Sequence, residues 1–543
     1  MNPSRESTSI VIDALKSRGF RYVSTSQDGW LHLKGSLNAG DAAHPCEIDI
    51  DPNFFDLPCI RLLDVPAQLR PIAPHINDKG EICYLAKAVI VLDIFDPVGQ
   101  TIACLERAEH VLGRLLRAEM VEDLEEEFFA YWDGWPCVSD LEDHADGKRQ
   151  AVLGTVEDLD FPVVSDNLER TKKKIAVLGW RQSDMPLATY QISTTAKPRP
   201  SQVVWPLSNL REFLWWQAQF DSASRQKIET HVKDAANNGS FGTVLLIESP
   251  ALVYGVLVLF NKPAGGWAAN GKPNKIPNLF ESRVKALSVT RVDDRYIAER
   301  NVPNRKTLAG KRIAIVGIGT IGGYLADMLV KAGAGTGGGQ LTLVDMDTLG
   351  TNNIGRHRLG FSSLFLNKAK ALRKELLRDA PSAEIRALPV RVQSANIIGI
   401  DLLINATGEE ALGHWLAANH ESSTPMLSVW IEGPGVAVRG LMQNDMGGAC
   451  CRCLTSHVRN GRYKATEEDI PLVTSGQGCE GLYVPFPATV SVQAASLGAE
   501  MAIDWANDSN TPKLRTRITD SKWSLGANDC NPKQVEGCPA CSK

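Results

Sequence analysis

Apolar positions recur along the chain with different periods. From Ser9 to Arg18 they fall at helical spacing, whereas "GWLHLKG" and "CEIDIDP" alternate apolar and polar residues as half-buried strands do. The run "TIACLERAEHVLGRLLRAEMVEDLEEEFFAYWDGW" returns to the helical period. Helix, sheet, loop and helices together predict an α+β domain over residues 1–155. In residues 156–288, apolar strands ("FGTVLLIES", "LVYGVLVLF") and a Trp-rich helix near Phe213 to Ala218 are flanked by "TTAKPRPS" and "NKPAGGWAANGKPNKIPN". That pattern predicts a mixed middle domain, and it carries no chemical motif. From 289 to 543 the order strand, glycine turn, helix, strand predicts a doubly wound, Rossmann-like α/β domain.

Composition narrows the class. A chain of 543 residues exceeds what one core supports. Its 43% hydrophobic and 22% charged residues are ordinary for a globular protein, and a net charge of −5 argues against a general nucleic-acid binder. The N-terminal stretch lacks the apolar region of a signal peptide, and the longest apolar run, "ALVYGVLVLF", falls short of the about 20 residues a bilayer requires. A cytoplasmic protein with no membrane partner is expected. Its 12 cysteines are then expected to be core filler, metal ligands or nucleophiles rather than disulfides. All lie before residue 140 or after residue 449, so cysteine chemistry belongs to the two ends.

"KRIAIVGIGTIGGYLADMLVKAGA" is a buried strand followed by Gly317-x-Gly319-x-x-Gly322 and an amphipathic helix. Such glycines let the backbone approach a phosphate at a helix N-terminus. The same fingerprint serves dinucleotide enzymes, in which Asp345 would hold a nicotinamide ribose. The residues that follow, Asp345, Asp347, Asn353, Arg356 and Lys368, point elsewhere. Taken singly, Arg356 or Lys368 could be a solvated surface charge; in series they suit a carboxylate attacking the α-phosphate of ATP, where negative charge builds on phosphate and departing pyrophosphate.

The series resembles the adenylating domain of ubiquitin-activating enzymes and of the MoeB/ThiF activators of sulfur-carrier proteins, over about residues 290–543. The resemblance implies that Asp345 holds the ATP ribose and that Asn353, Arg356 and Lys368 grip the phosphates. It also implies that Arg300, or Arg295, in "DRYIAERN" reaches ATP in the partner subunit of a homodimer. Where the family has a magnesium-binding aspartate this chain has Gly408, leaving Glu409 or Asp347 for Mg2+.

"GGACCRCLTS" and "EGCPACSK" supply Cys450-x-x-Cys453 and Cys538-x-x-Cys541, a spacing that lets four thiolates surround Zn2+ tetrahedrally, with Cys451 and Cys530 as bystanders. Cys479, in the glycine-flanked "VTSGQGCEGLYVPFP", fits either a nucleophile capturing an acyl-adenylate or an inert loop thiol. "APHINDKGEICYL" resembles the active-site segment of ubiquitin-conjugating enzymes, with Ile76 in place of the proline and a shorter His-to-Cys spacing. The resemblance implies Cys83 as thioester acceptor, Asn77 as oxyanion donor and His75 as shaper of the loop. Without it, "GEICYL" would be a strand with a buried cysteine.

A conjugating-like, a middle and an activating-like domain in this order resemble the fused ubiquitin-transferase-like proteins of bacterial antiphage CBASS operons. That resemblance implies adenylation of a C-terminal carboxylate, capture by Cys479, transfer to Cys83 and conjugation to a target amine. The modifier would be a cGAS-like nucleotidyltransferase or, in another conjugation operon, a ubiquitin-like protein. The alternatives are a sulfur-carrier activator with an inert N-terminal domain and a nucleotide-binding scaffold.

Overall fold

The structure is a computed structural model. It describes residues 3–70, 73–77, 79–85, 92–120, 123, 128, 132, 134–198, 207–250, 252–261, 278–419, 424–444, 448–476 and 483–541. Its contacts form two units: Met1–Val138, His144–Val152 and Asp184–Thr290 in one, and Ser139–Asp143, Leu153–Ser183 and Arg291–Lys543 in the other.

The first unit opens with an antiparallel sheet of strands Arg21–Thr25, Leu31–Ala39, Ala42–Ile50 and Cys59–Leu62, in that order. Alternation sends Leu31, Leu33, Leu37, Ile48, Ile50, Ile60 and Leu62 into a core closed by the helices Pro3–Ser17 and Pro97–Leu116. Asp96 starts the second helix by accepting from the Gly99 amide, with Pro97 at its first turn. The long helical run expected beyond residue 101 is interrupted after Leu116, where Ala118 turns into the left-handed region at φ 56°, and Asp123 and Phe128 are again helical.

A second core in this unit lies on the strands Ala188–Ser193, Gly242–Glu248, Val253–Leu259 and Arg283–Arg291. Gly242–Glu248 runs parallel to Ala188–Ser193 and antiparallel to Val253–Leu259. Helices Leu210–Ala218 and Ser222–Asn237 complete it, and at its centre Trp132 stacks on Trp216 while Phe213 meets Trp132 at a tilt and Tyr254 meets Trp216 edge-on. The expected Trp-rich helix thus buries Trp216 completely and leaves Trp215 exposed.

In the second unit seven strands lie in the order Ile385–Leu388, Gln340–Val344, Arg312–Val316, Leu402–Asn405, Met426–Glu432, Ala437–Gln443 and Leu514–Ile518. The first five are parallel, Ala437–Gln443 runs against them, and Leu514–Ile518 is antiparallel to Ala437–Gln443 in turn. Both faces are covered. Ile313 and Ile315 meet the helices Thr320–Lys331, Lys368–Asp379 and Ala488–Ala506, while Ala314 and Val316 meet Glu410–Asn419. The chain leaves Arg312–Val316 toward one edge and returns on its other side as Leu402–Asn405. The strand ends there form the switch-point crevice at which such sheets bind ligands.

Candidate active site

That crevice is a cavity of about 570 Å³ whose wall includes Gly317, Gly319, Asp345, Asp347, Lys368, Thr407 and Glu409. Gly317 turns with φ 89°, and a Cβ there would lie 2.7 Å from Thr407 Cγ2. At Gly322 a Cβ would lie 1.9 Å from the Gly317 carbonyl oxygen, so helix and strand meet backbone to backbone. His357 braces this turn from below. Its Nε2 donates to the Ile318 carbonyl at 2.9 Å, and its Nδ1 accepts from the Leu359 amide at 3.0 Å. Burial pushes its pKa below the usual histidine value, which fits a neutral ring.

Asp345 ends its strand by accepting from the amides of Ile318 and Asp347, each at 2.7 Å. Burial raises its pKa, working against those two amides and the Lys368 charge. Lys368 is buried and donates to Asp347 at 3.1 Å. Asn367 caps the helix that Lys368 begins, while its Nδ2 donates to the carbonyls of Asp345 and Asp347 at 2.9 and 3.1 Å. One asparagine thereby ties both acidic residues to the lysine's helix. Val344, Val390, Val392, Leu412 and Trp415 form an apolar side suited to a planar base.

Asn353, Arg356 and Arg300 are not among the described residues lining this cavity. Asn353 accepts from the Gly350 amide at 3.0 Å. Arg356 lies over the Phe486 ring at 4.4 Å and donates through Nη1 to the Val484 carbonyl at 3.3 Å. Its Nε is buried with no hydrogen-bond partner among the described residues. Arg300 donates to the Tyr296 hydroxyl at 3.3 Å. Of the candidate magnesium carboxylates, Asp347 and Glu409 both face the cavity, and Gly408 occupies a left-handed turn at φ 71°.

The sulfurs of Cys450, Cys453, Cys538 and Cys541 all lie within 4.8 Å of one another. The Val535 amide donates to Cys453 at 3.3 Å and Gln534 to Cys541 at 3.4 Å, as donors around a thiolate-bound metal do. Four convergent thiols in a largely buried site fit tetrahedral zinc. Cys451, between two of them, instead donates to Ser428 at 2.9 Å. Cys530 pairs its backbone with Leu514, so neither bystander joins the cluster.

In the first unit, Ile76, Ile82 and Tyr84 turn into the core and leave Cys83 exposed between two buried neighbours. The Cys83 amide donates to the His75 carbonyl at 2.7 Å, closing the loop on itself. His75 adopts φ 60°, and its Nε2 lies 3.0 Å from Asp123 Oδ2. Asn77 Oδ1 accepts from the amides of Lys79 and Glu81, and its Nδ2 donates to the Glu81 carboxylate at 2.7 Å. Tyr84 anchors the far side on the Pro58 carbonyl at 2.6 Å. Sequence alone missed Glu81, Asp123 and His357; the buried histidine beside the Asn-x-x-Arg run was its one visible signal. Cys479 lies outside the described residues.

The ThiF family model matches residues 294–534, and the prokaryotic E2 family B model matches residues 22–135. An ATP-dependent ubiquitin transferase-like protein, Cap2 of Pseudomonas aeruginosa (strain BWHPSA011 / Pa011), is 49% identical over 535 residues, covering 98% of each chain. Cap2 of Escherichia coli (strain TW11681) is 25% identical over 97% of this chain and 96% of its own. A crystal structure of E. coli MccB with AMPCPP and MccA superposes on 43% of this chain and 67% of that one, at 15% identity and a TM-score of 0.32. An adenylating domain and an E2-like domain thus share one chain, and with near-complete coverage at 49% identity the protein belongs to the family of ATP-dependent ubiquitin transferase-like proteins.

Proposed function

We propose that the enzyme activates a protein C-terminus and passes it over two sulfurs to a target amine. A terminal carboxylate oxygen attacks the α-phosphorus of ATP, and pyrophosphate leaves. Asp345 holds the ribose, the Gly317–Gly322 turn approaches the phosphates, Lys368 and Arg356 neutralise the charge that builds there, and Asn353 grips a phosphate by hydrogen bonding. Asp347 and Glu409 offer oxygens to the magnesium that accompanies ATP. Arg300 of one subunit reaches the ATP of its partner in a homodimer. The Cys479 thiolate displaces AMP, the Cys83 thiolate displaces Cys479, and a target lysine amine displaces Cys83, giving an amide. Asn77 donates to the oxyanion of that last step. The four-cysteine site holds zinc as a structural metal. The modifier is a cGAS-like nucleotidyltransferase primed for antiphage defence in the cytoplasm.

The observation that carries this reading is the cavity that places Asp345, Asp347 and Lys368 beside the glycine turn. The test supplies a cGAS-like nucleotidyltransferase and ATP to cysteine variants. Cys479→Ala should retain ATP–pyrophosphate exchange and form no thioester, whereas Cys83→Ala should accumulate a reductant-sensitive adduct on Cys479. Exchange that starts only with a ubiquitin-like protein would replace the proposed modifier.

A further inference from the structure

The helix Leu168–Leu178 and residues 139–143 belong to the unit that holds the nucleotide cavity. Lys174 on that helix is buried, at 8% exposure. Its Nζ donates to Asp140 Oδ1 at 2.8 Å and to the Val292 carbonyl at 2.7 Å, and it pairs with Asp294 Oδ1 at 2.9 Å. Two of the ammonium's donors are engaged in hydrogen bonds, and the Asp294 carboxylate lies against it as an ion pair. Asp140 is fully buried and is held besides by Arg170 Nε at 3.1 Å and the Thr171 hydroxyl at 2.6 Å. Such a network, with each polar group met, fixes geometry more than a surface ion pair would.

The far end of this pin is the short helix Asp294–Glu299. Asp294 accepts from the Ser382 hydroxyl at 2.8 Å as well, so the helix is gripped from two sides. Asp293 is fully buried, caps the helix through the Tyr296 amide at 2.9 Å and binds Arg291 through both carboxylate oxygens. Arg291 in turn lies 4.6 Å over the Tyr296 ring, and the Tyr296 hydroxyl receives Arg300. From Lys174 the contacts reach Asp294, whose neighbour in the chain, Asp293, holds the Tyr296 amide, and the Tyr296 hydroxyl receives Arg300.

We infer that Lys174 is a positioning residue for ATP activation: the segment between the conjugating-like and adenylating regions pins, through Asp294, the helix that presents Arg300. This rests on the reading of Arg300 as an ATP contact. The segment is then a mounting for the nucleotide site and not a spacer.

The test measures Mg·ATP dissociation constants by calorimetry on the full-length protein for Lys174→Met, Arg300→Ala and the double variant, with unfolding midpoints alongside. Each single variant should weaken ATP by about tenfold, and the double variant should match Arg300→Ala within about twofold, because both changes remove the same contact. Losses that multiply to about 100-fold, or parental affinity in Lys174→Met while Arg300→Ala is weak, would overturn the inference alone. Parental affinity in Arg300→Ala would remove the Arg300 reading and the inference with it. If Lys174→Met does not fold, Asp294→Asn takes its place; it keeps an acceptor for Ser382 and Lys174 but drops the charge, and about a threefold loss is expected, again absent on the Arg300→Ala background.

Discussion

The nucleotide cavity and the Cys83 loop solve opposite problems. In the cavity, Asp345 is met by two amides, Lys368 is buried against Asp347, and Asn367 ties their segments together, so these groups are placed before any ligand arrives. At the loop the proposed nucleophile, Cys83, is exposed, and the proposed oxyanion donor, Asn77, gives its Nδ2 hydrogen to Glu81. Stabilising charge at phosphorus rewards fixed groups, because reorganisation at the moment of reaction costs rate. Receiving and discharging a protein-sized acyl group rewards access. On the proposed reading, the first site is built by folding and the second is completed by its substrates.

The largest effect should come at the exposed site. Cys83→Ala should lower conjugate formation by about 10⁴-fold or more while pyrophosphate exchange stays parental, followed by gel and by isotope exchange. Conjugation at the parental rate would return Cys83 to the status of a surface residue. Arg356→Ala should lower modifier-dependent exchange by about 10²–10³, the usual loss for one preorganised donor at developing charge. An unchanged rate would mean that the stacking of Arg356 on Phe486 is its whole role. A smaller change should sharpen the contrast at Asn77: Glu81→Ala releases the amide and should speed discharge of the Cys83 thioester to free lysine about threefold to tenfold. Slower discharge would instead show that Glu81 holds Asn77 in its working orientation.

The smallest effect concerns the brace beneath the glycine turn. His357 is held below the ordinary value of 6.5 by burial, so in acid the unfolded chain takes up a proton that the native ring refuses. Its contribution is fully present above about pH 6.5 and is lost as pH falls below that, at up to about 1.4 kcal/mol per pH unit. Urea midpoints between pH 7 and 5.5 should therefore decline, and His357→Gln should flatten that decline; an identical slope would assign the acid sensitivity to other groups.

What was legible in the sequence is what short spacings fix. Gly317, Gly319 and Gly322 sit on one strand–turn–helix unit, and Asp347 and Lys368 meet because Asn367 folds the next helix back over Asp347. The four cysteines were legible as two pairs, although their convergence joins chain positions some ninety residues apart. Illegible were contacts in which polar residues look like surface. Glu81 captures Asn77 across a tight turn, and Lys174 meets Asp294 across more than a hundred residues of intervening chain. A lysine in "ERTKKKIAVL" carries no mark that distinguishes it from its two solvated neighbours.

Gly322 has a bearing on how descent should be judged in chains like this one. Its side chain is forbidden by the Gly317 carbonyl, a contact between two pieces of this protein's own backbone. A descendant that had abandoned ATP altogether would still need glycine there in order to fold. Gly317 and Gly322 therefore record architecture, and inactive paralogues should retain them, whereas a Cβ at Gly319 would meet open space. Arg356 and Lys368, which have no comparable steric reason to persist, are the positions whose loss would mark a pseudoenzyme.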